Sequence, residues 1–328
     1  CPFSRYAVYS GRAGKGARPP GLNRKEGELA RVALLIREVR AEFLTASVIP
    51  VLLGVAVAEH ERGLWDPALA ILTLVGAALM HLATNTANDY FDHLSGADEA
   101  NTQYARPFTG GTRLIQEGLL SPRAVGRLAL SLTAAAIAVG VILFIARGPG
   151  VLAFGAVGIF LGYFYTGPPL RLAHRGLGEA AVGAGYGLIS IGAFYVQTGA
   201  VSWPCVVASL PPALLVTCII VINEFQDLQG DKAAGKRTAI VRIGRRRGVV
   251  LFAALLFSAF AVVIAGVLGG LLPTLSLLSL LALPTGVAAT VTATRHHDQP
   301  ARMAPANAMT IISHAAAGLL LTLAFALS

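Results

Sequence analysis

Nine mostly apolar stretches of about 20 residues follow one another along this 328-residue chain, at roughly 41–59, 67–87, 124–146, 150–166, 178–198, 204–222, 248–269, 271–293 and 306–327. A helix of that length rises about 30 Å, the thickness of a bilayer's hydrocarbon core. Lipid offers no hydrogen bonds, so only helices or closed barrels satisfy the backbone there. Barrel strands alternate apolar and polar residues over about ten positions, and these runs do not alternate. Charged residues make up 13% of the chain, about half the share of a soluble domain. The expected fold is an all-α membrane protein of about nine transmembrane helices.

Charge placement sets the expected orientation. Of the 26 Lys and Arg residues, 24 fall in the N-terminal segment and the connections after even-numbered spans; Arg62 and Arg147 alone lie on the other side. Basic residues stay cytoplasmic, so the N-terminus and these connections are expected inside, in a multi-pass protein of the cell's inner (cytoplasmic) membrane. Residues 1–36 read as a basic, flexible cytoplasmic tail, with a short interfacial helix over 31–40. Residues 37–328 read as a single transmembrane domain. The net charge of +9 is topological in this reading. Nucleic-acid binding needs a clustered basic face with base-reading groups, and no such module is present. Three cysteines define no disulfide framework. No protein partner is legible.

Two acidic clusters break the apolar pattern, one after the second span (Asn85 to Glu99) and one after the sixth (Asn223 to Thr238). They hold seven of the seventeen acidic residues. Asn88 and Asp92 are four apart, as are Asn223, Asp227 and Asp231, so each set lies on one helix face. Like charges at that spacing repel unless a cation compensates. Hard oxygen ligands suit Mg²⁺, which binds through one or two carboxylates, waters and substrate phosphates. Two such clusters facing each other would hold a diphosphate between metal ions. A secondary transporter would place its ionisable groups near the midplane, whereas these sit at one surface.

Basic and aromatic residues flank both clusters. Arg106, the pair Gly110-Gly111 and Arg113 follow the first, and a Gly-Gly pair lets backbone approach an anion closely. Arg171 and Arg175 either contact the same phosphate or serve only topology. Lys232 and Lys236 follow the second cluster. Tyr90, Tyr163 and Tyr165 offer faces that would shield a carbocation or simply pack.

The paired motifs resemble those of the UbiA superfamily of intramembrane prenyltransferases, and Asn88/Asp92 and Asp227/Asp231 stand at the matching places. Within it the chain is most similar to the 1,4-dihydroxy-2-naphthoate polyprenyltransferases of menaquinone synthesis, through Asn88–Asp92 with Gly96-Ala-Asp98, Gly110–Gln116, Tyr165–Pro169, Tyr195–Gly199 and Asp231–Thr238. The resemblance implies transfer of a polyprenyl group from its diphosphate to an aromatic acceptor. Two Mg²⁺ ions would be held by Asn88, Asp92, Asp98, Asn223, Asp227 and Asp231. The diphosphate would meet Arg106, Arg113, Arg171, Lys232 and Lys236, with Asp92, Asp227, Asp231, Lys232 and Arg171 carrying catalysis. Where the superfamily often has a third carboxylate, eight residues after the Asn, this chain has Gly96, and Asp98 stands in. Dihydroxynaphthoate is the expected acceptor, ahead of 4-hydroxybenzoate and homogentisate.

Overall fold

The computed structural model describes residues 24–102, 104 and 106–328, the first four of them by backbone alone. All nine expected stretches are helical. The helices are α1 (Arg24–Glu38), α2 (Thr45–Arg62), α3 (Pro67–Ser95), the short α4 (Ala97–Ala100), α5 (Pro122–Arg147) and α6 (Gly150–Thr166). There follow α7 (Gly178–Thr198), α8 (Trp203–Ala233), α9 (Ala239–Leu268), α10 (Leu283–His296) and α11 (Ala304–Leu327). No strand occurs among the described residues.

Local chemistry sets several boundaries. The side chains of Asp66, Ser121 and Ser202 each accept from the backbone N–H three residues on, and a proline follows within two residues. That pairing satisfies an orphan donor and presets the first turn. α9 is broken at Gly244, whose φ of 76° is left-handed, so its first turns are set off from the long apolar run that follows.

Two expectations change in the structure. By length and composition seven helices suffice to cross a membrane, or eight if Glu28–Phe43 and Thr45–Arg62, bent by 52°, form one broken span. The 17-residue α6 falls below that length, so nine helices do not by this measure make nine crossings. The tail is also shorter than expected. Residues 1–23 lie outside the described residues, but α1 begins at Arg24. Ala30 and Leu34, four apart, are buried on this helix of mixed charged and apolar residues, and Leu34 packs on Leu114, Ile115, Leu120 and Val125. That seat anchors a segment expected to be free.

The bundle is arranged around α8. In its most apolar window 67% of residues are buried, against 11% in α5, which turns most of its surface to lipid. Leu215, Cys218, Ile222 and Phe225 recur at helical spacing along α8 and pack against Phe252 and Leu256 of α9. α2 packs on α7, with Leu53 and Val57 against Phe194. Lipid tails are as apolar as leucine, so membrane helices gain by close contact rather than by escaping water. Gly54 permits that contact: a Cβ there would overlap the Ser190 carbonyl oxygen and lie 2.8 Å from the Ala193 Cβ.

Gly54→Leu is therefore expected to force α2 and α7 apart and cost about 1–3 kcal/mol, read as earlier loss of monodisperse protein on heating in detergent. Gly140→Ala, on the lipid-facing α5 where a new Cβ meets nothing within 4 Å, should leave the melting profile unchanged.

Candidate functional site

α3 and α8 extend their polar ends to the same side of the bundle and enclose a cavity of about 380 Å³. Four cavity-lining residues of α3, His81, Asn85, Asn88 and Asp92, recur every three or four positions and form one stripe on the helix. α8 contributes a matching stripe of Asn223, Asp227 and Asp231. α3 then ends at Gly96, in left-handed conformation at φ 75°, and the chain turns so that α4 brings Asp98 back to the cavity wall.

Lys236 ties the two acidic ends together. Its Nζ lies 2.8 Å from Asp92 Oδ2 and 3.9 Å from Asp231 Oδ1. Burial alone would depress this ammonium, but the Asp92 and Asp231 carboxylates outweigh it and hold its pKa above the ordinary value. Thr238 donates to Asp231 Oδ2 at 3.3 Å, and Asn101 donates to Asp227 Oδ1 at 2.7 Å. Burial, with Asp92 and Asp89 nearby, pushes the Asp98 carboxyl up to about 8. Gln116 donates to its Oδ2 at 3.1 Å.

These donors fit a hard divalent cation. Asp92 Oδ1 is buried with no hydrogen-bond partner. Five carboxylates, those of Asp92, Asp98, Glu224, Asp227 and Asp231, line the cavity with amide groups among them. Among the described residues no three His, Cys, Asp or Glu side chains converge tightly enough to hold an ion unaided. That suits Mg²⁺, which completes its shell with water and substrate phosphate.

Of the remaining expected site residues, Tyr165 lines the cavity and the others do not. Asn223 reaches the wall, but its Oδ1 accepts from Asn307 at 2.6 Å and its Nδ2 donates to the Phe108 carbonyl at 3.3 Å. Arg113 donates to the Asp98 and Asn101 carbonyls at 2.9 and 3.2 Å and stacks 4.4 Å from the Tyr104 ring centroid, so it braces the loop that carries Asp98. Arg106 pairs with Glu117. Lys232 and Arg171 are exposed. Tyr90 packs beside the Leu114 cluster. Tyr163 is 43% exposed, edge-on to Phe91. Gly110 and Gly111 do line the cavity, yet the anion Gly111 approaches is the protein's own: a Cβ on it would lie 2.8 Å from Asp89 Oδ1.

Sequence reasoning missed a second polar set deeper in the cavity. Arg40 lines the wall, with a buried Nε that has no partner and NH2 at 3.5 Å from Asp89 Oδ1. The Ser47 and Tyr186 hydroxyls lie 2.7 and 3.1 Å from His81 Nδ1, and His81 Nε2 is buried without a partner. A ring nitrogen that accepts from a hydroxyl leaves the ring proton on the other nitrogen. With Nδ1 accepting, His81 would keep its Nε2–H as a donor for a ligand oxygen. A histidine inside an apolar span four residues before Asn85 was the available signal. Below this set the walls are apolar, with Leu161, Ile189, Ile219 and Ile220, and three glycines, Gly158, Gly162 and Gly185, keep the bore open.

Comparison with known proteins bears on this geometry. The sequence model of the UbiA prenyltransferase family matches residues 47–323. The chain is 28% identical over 292 residues to 2-carboxy-1,4-naphthoquinone phytyltransferase of Synechocystis sp., covering 88% of this chain and 91% of that one. It is 31% identical over 241 residues to 1,4-dihydroxy-2-naphthoate octaprenyltransferase of Bacillus subtilis, covering 72% and 74%. The solved structure of a UbiA homolog from Archaeoglobus fulgidus bound to DMAPP and Mg²⁺ shares the fold, with a TM-score of 0.58 at 15% identity over 88% of this chain and 98% of that one.

A metal ion bound by Asp98 would have to displace a proton from a carboxyl pushed up to about 8. Mg²⁺ or Mn²⁺ affinity, measured by calorimetry, is therefore expected to rise as pH passes from 7 to 9. Asp98→Asn should flatten that rise, and a profile unaltered by the substitution would remove Asp98 from the ligand set.

Proposed function

The chain belongs to the UbiA prenyltransferase family, and from that premise we propose that it transfers a polyprenyl group to 1,4-dihydroxy-2-naphthoate, with loss of CO₂, in menaquinone synthesis. Prenyl transfer is the activity of the family, and the naphthoate-specific names of the Synechocystis and Bacillus relatives support this acceptor. The observation that carries the reading is the cavity itself: five carboxylates and Lys236 toward one end, an apolar bore toward the other. It matches a substrate with an ionic head and a hydrocarbon tail.

In this reading Asp92, Asp98, Asp227 and Asp231, with Asn88, hold two Mg²⁺ ions. Once bound, the metal neutralises the diphosphate and makes it a better leaving group. Lys236 adds a preorganised positive charge beside the departing oxygens. The allylic C–O bond breaks and its electron pair leaves with the diphosphate. Tyr165 presents a ring face to the cation and the surrounding apolar walls exclude water. The acceptor's ring carbon then supplies the electron pair of the new C–C bond, and its carboxylate departs as CO₂ to restore aromaticity. Arg40 meets the acceptor's carboxylate, and His81 donates from Nε2 to an acceptor oxygen. Arg113 acts one step back, by fixing the Asp98 loop. The lopsided distribution of basic residues supports a cytoplasmic mouth in the inner membrane.

The test is purified protein with radiolabelled geranylgeranyl diphosphate, Mg²⁺ and, separately, dihydroxynaphthoate, 4-hydroxybenzoate or homogentisate. EDTA-sensitive product from dihydroxynaphthoate alone is expected, whereas product from another acceptor would overturn the assignment. Asp227→Ala should abolish turnover with expression intact. Arg40→Gln and His81→Phe should each raise KM for the acceptor by about tenfold or more, the value of a hydrogen bond to a charged group, and leave KM for the prenyl diphosphate near the wild-type value.

A further inference from the structure

The loop that delivers Lys236 to the cavity has a second face. Lys236 is drawn inward to Asp92, while its neighbour Arg237 is exposed. The Arg237 N–H donates to the His174 carbonyl at 3.2 Å, which joins this loop to the turn between α6 and α7. Arg242 closes the same junction: a Cβ on Gly176 would lie 2.7 Å from both the Arg242 NH1 and the Arg237 carbonyl oxygen. Arg171 and Arg175 project from the turn itself, and Arg175 donates to the Pro169 carbonyl at 3.2 Å. The Arg242 side chain thus meets the turn that carries Arg175, and the exposed Arg171 and Arg237 belong to the same two segments, which stand more than sixty positions apart in sequence. None of the four forms an ion pair with a carboxylate among the described residues.

Topology alone accounts for the sign of these charges but not for their convergence, since arginines that only fix orientation gain nothing from crowding one another. The patch stands just beyond the last apolar turns of α6 and ahead of the apolar run of α9, where a helix crossing a bilayer meets the headgroup region. Leu177 and Ile243, 51% and 36% exposed, sit in the same two segments. Guanidinium groups above apolar side chains match a phosphate diester above acyl chains.

We propose that Arg171, Arg175, Arg237 and Arg242 form a binding site for an anionic phospholipid of the surrounding bilayer, separate from the cavity and independent of which acceptor the cavity takes. The site binds the headgroup phosphate from the side opposite Lys236 and holds the loop whose inner face closes the acidic clusters.

Native mass spectrometry of the protein released from nanodiscs of equal phosphatidylglycerol and phosphatidylcholine tests this. Wild type is expected to retain phosphatidylglycerol preferentially, the more so at low salt. Arg175→Gln with Arg242→Gln should weaken that retention roughly tenfold, and Arg175→Lys with Arg242→Lys should preserve most of it. Arg123→Gln with Arg127→Gln, at exposed positions near the start of α5, should change nothing. Equal retention by the glutamine variant and wild type would overturn the proposal, as would an equal loss in the α5 control. Displacement of the lipid by geranylgeranyl diphosphate would do so too, because the patch would then be an entry point for substrate. Should the glutamine variant not fold, photocrosslinking of a phosphatidylglycerol probe to the wild type decides. Labels on peptides containing residues 171–177 and 237–243 uphold the site, and labels elsewhere overturn it.

Discussion

Repulsion among carboxylates is the constraint around which the rest of this structure is organised. Asp92, Asp98, Asp227 and Asp231 share one cavity wall system, and in a medium of low polarity such charges cannot all stand uncompensated. The chain relieves the strain in two ways. Lys236 lies between Asp92 and Asp231. Asp98 stays protonated to about pH 8 through burial and its acidic neighbours. What remains unsatisfied, including the buried Asp92 Oδ1, is a standing demand for a cation. A site balanced this way is stable without its ligand and favours ligand strongly.

The scaffold keeps that balance rigid by polar ties of its own. Asp89 turns from the cavity and accepts from both the N–H and the hydroxyl of Thr112 at 2.9 Å. The same Thr112 hydroxyl lies 2.6 Å from Glu38 Oε2 at the end of α1. α1, α3 and the Gly110-Gly111 loop are thereby joined at a buried point. On the other side Glu224 accepts from the Ile240 N–H at 3.1 Å and Glu179 from that of Ala239, which caps α9 and fixes the loop carrying Lys236. Neighbouring acids divide the labour: Asp92 lines the cavity while Asp89 holds the loop, and Asp227 and Glu224 both line it while Glu224 also holds the start of α9.

How far the sequence discloses this depends on which physics is local. Apolar runs of bilayer length are local, and eight of the nine each centre on one α-helix, while the run at 271–293 is built from a 3-10 helix, Thr274–Ala282, followed by α10. The four-residue spacing of the acids is also local, so the pairing of α3 and α8 as the two walls followed from it. Side-chain direction beyond the helix ends is not local. Arg106, Arg113, Arg171 and Lys232 read as phosphate ligands because they stand in the connections on the side of the acids, yet the first three lie in loops whose turns keep them off the cavity wall, and Lys232, in the last turn of α8, is exposed. Arg113, for example, stacks on Tyr104 and is bonded to backbone. Only Lys236 among the expected cations enters the cavity. Arg40, His81 and Tyr186 come together from α3, α7 and the segment before α2, and no single stretch of sequence signals their meeting. The buried face of α1 was legible in principle, since Ala30 and Leu34 carry helical spacing, but exposed apolar neighbours, Leu29, Val32 and Ile36, blur the pattern.

Gly158, Gly162 and Gly185 line the bore some way from the ionic groups, and this separation has an evolutionary reading. A Cβ at Gly158 would meet nothing within 4 Å, and one at Gly185 would have only a Leu161 methyl at 3.8 Å. The helices tolerate a methyl group at those two positions, though a Cβ at Gly162 would lie 2.6 Å from the Thr84 hydroxyl oxygen and 2.7 Å from the Met80 methyl, and bulk added at Gly158 or Gly185 falls within the cavity. Preference for longer or shorter isoprenoids can therefore drift by single substitutions while the charge-balanced head end stays untouched. Tail length and reaction chemistry become independently heritable traits within one bundle.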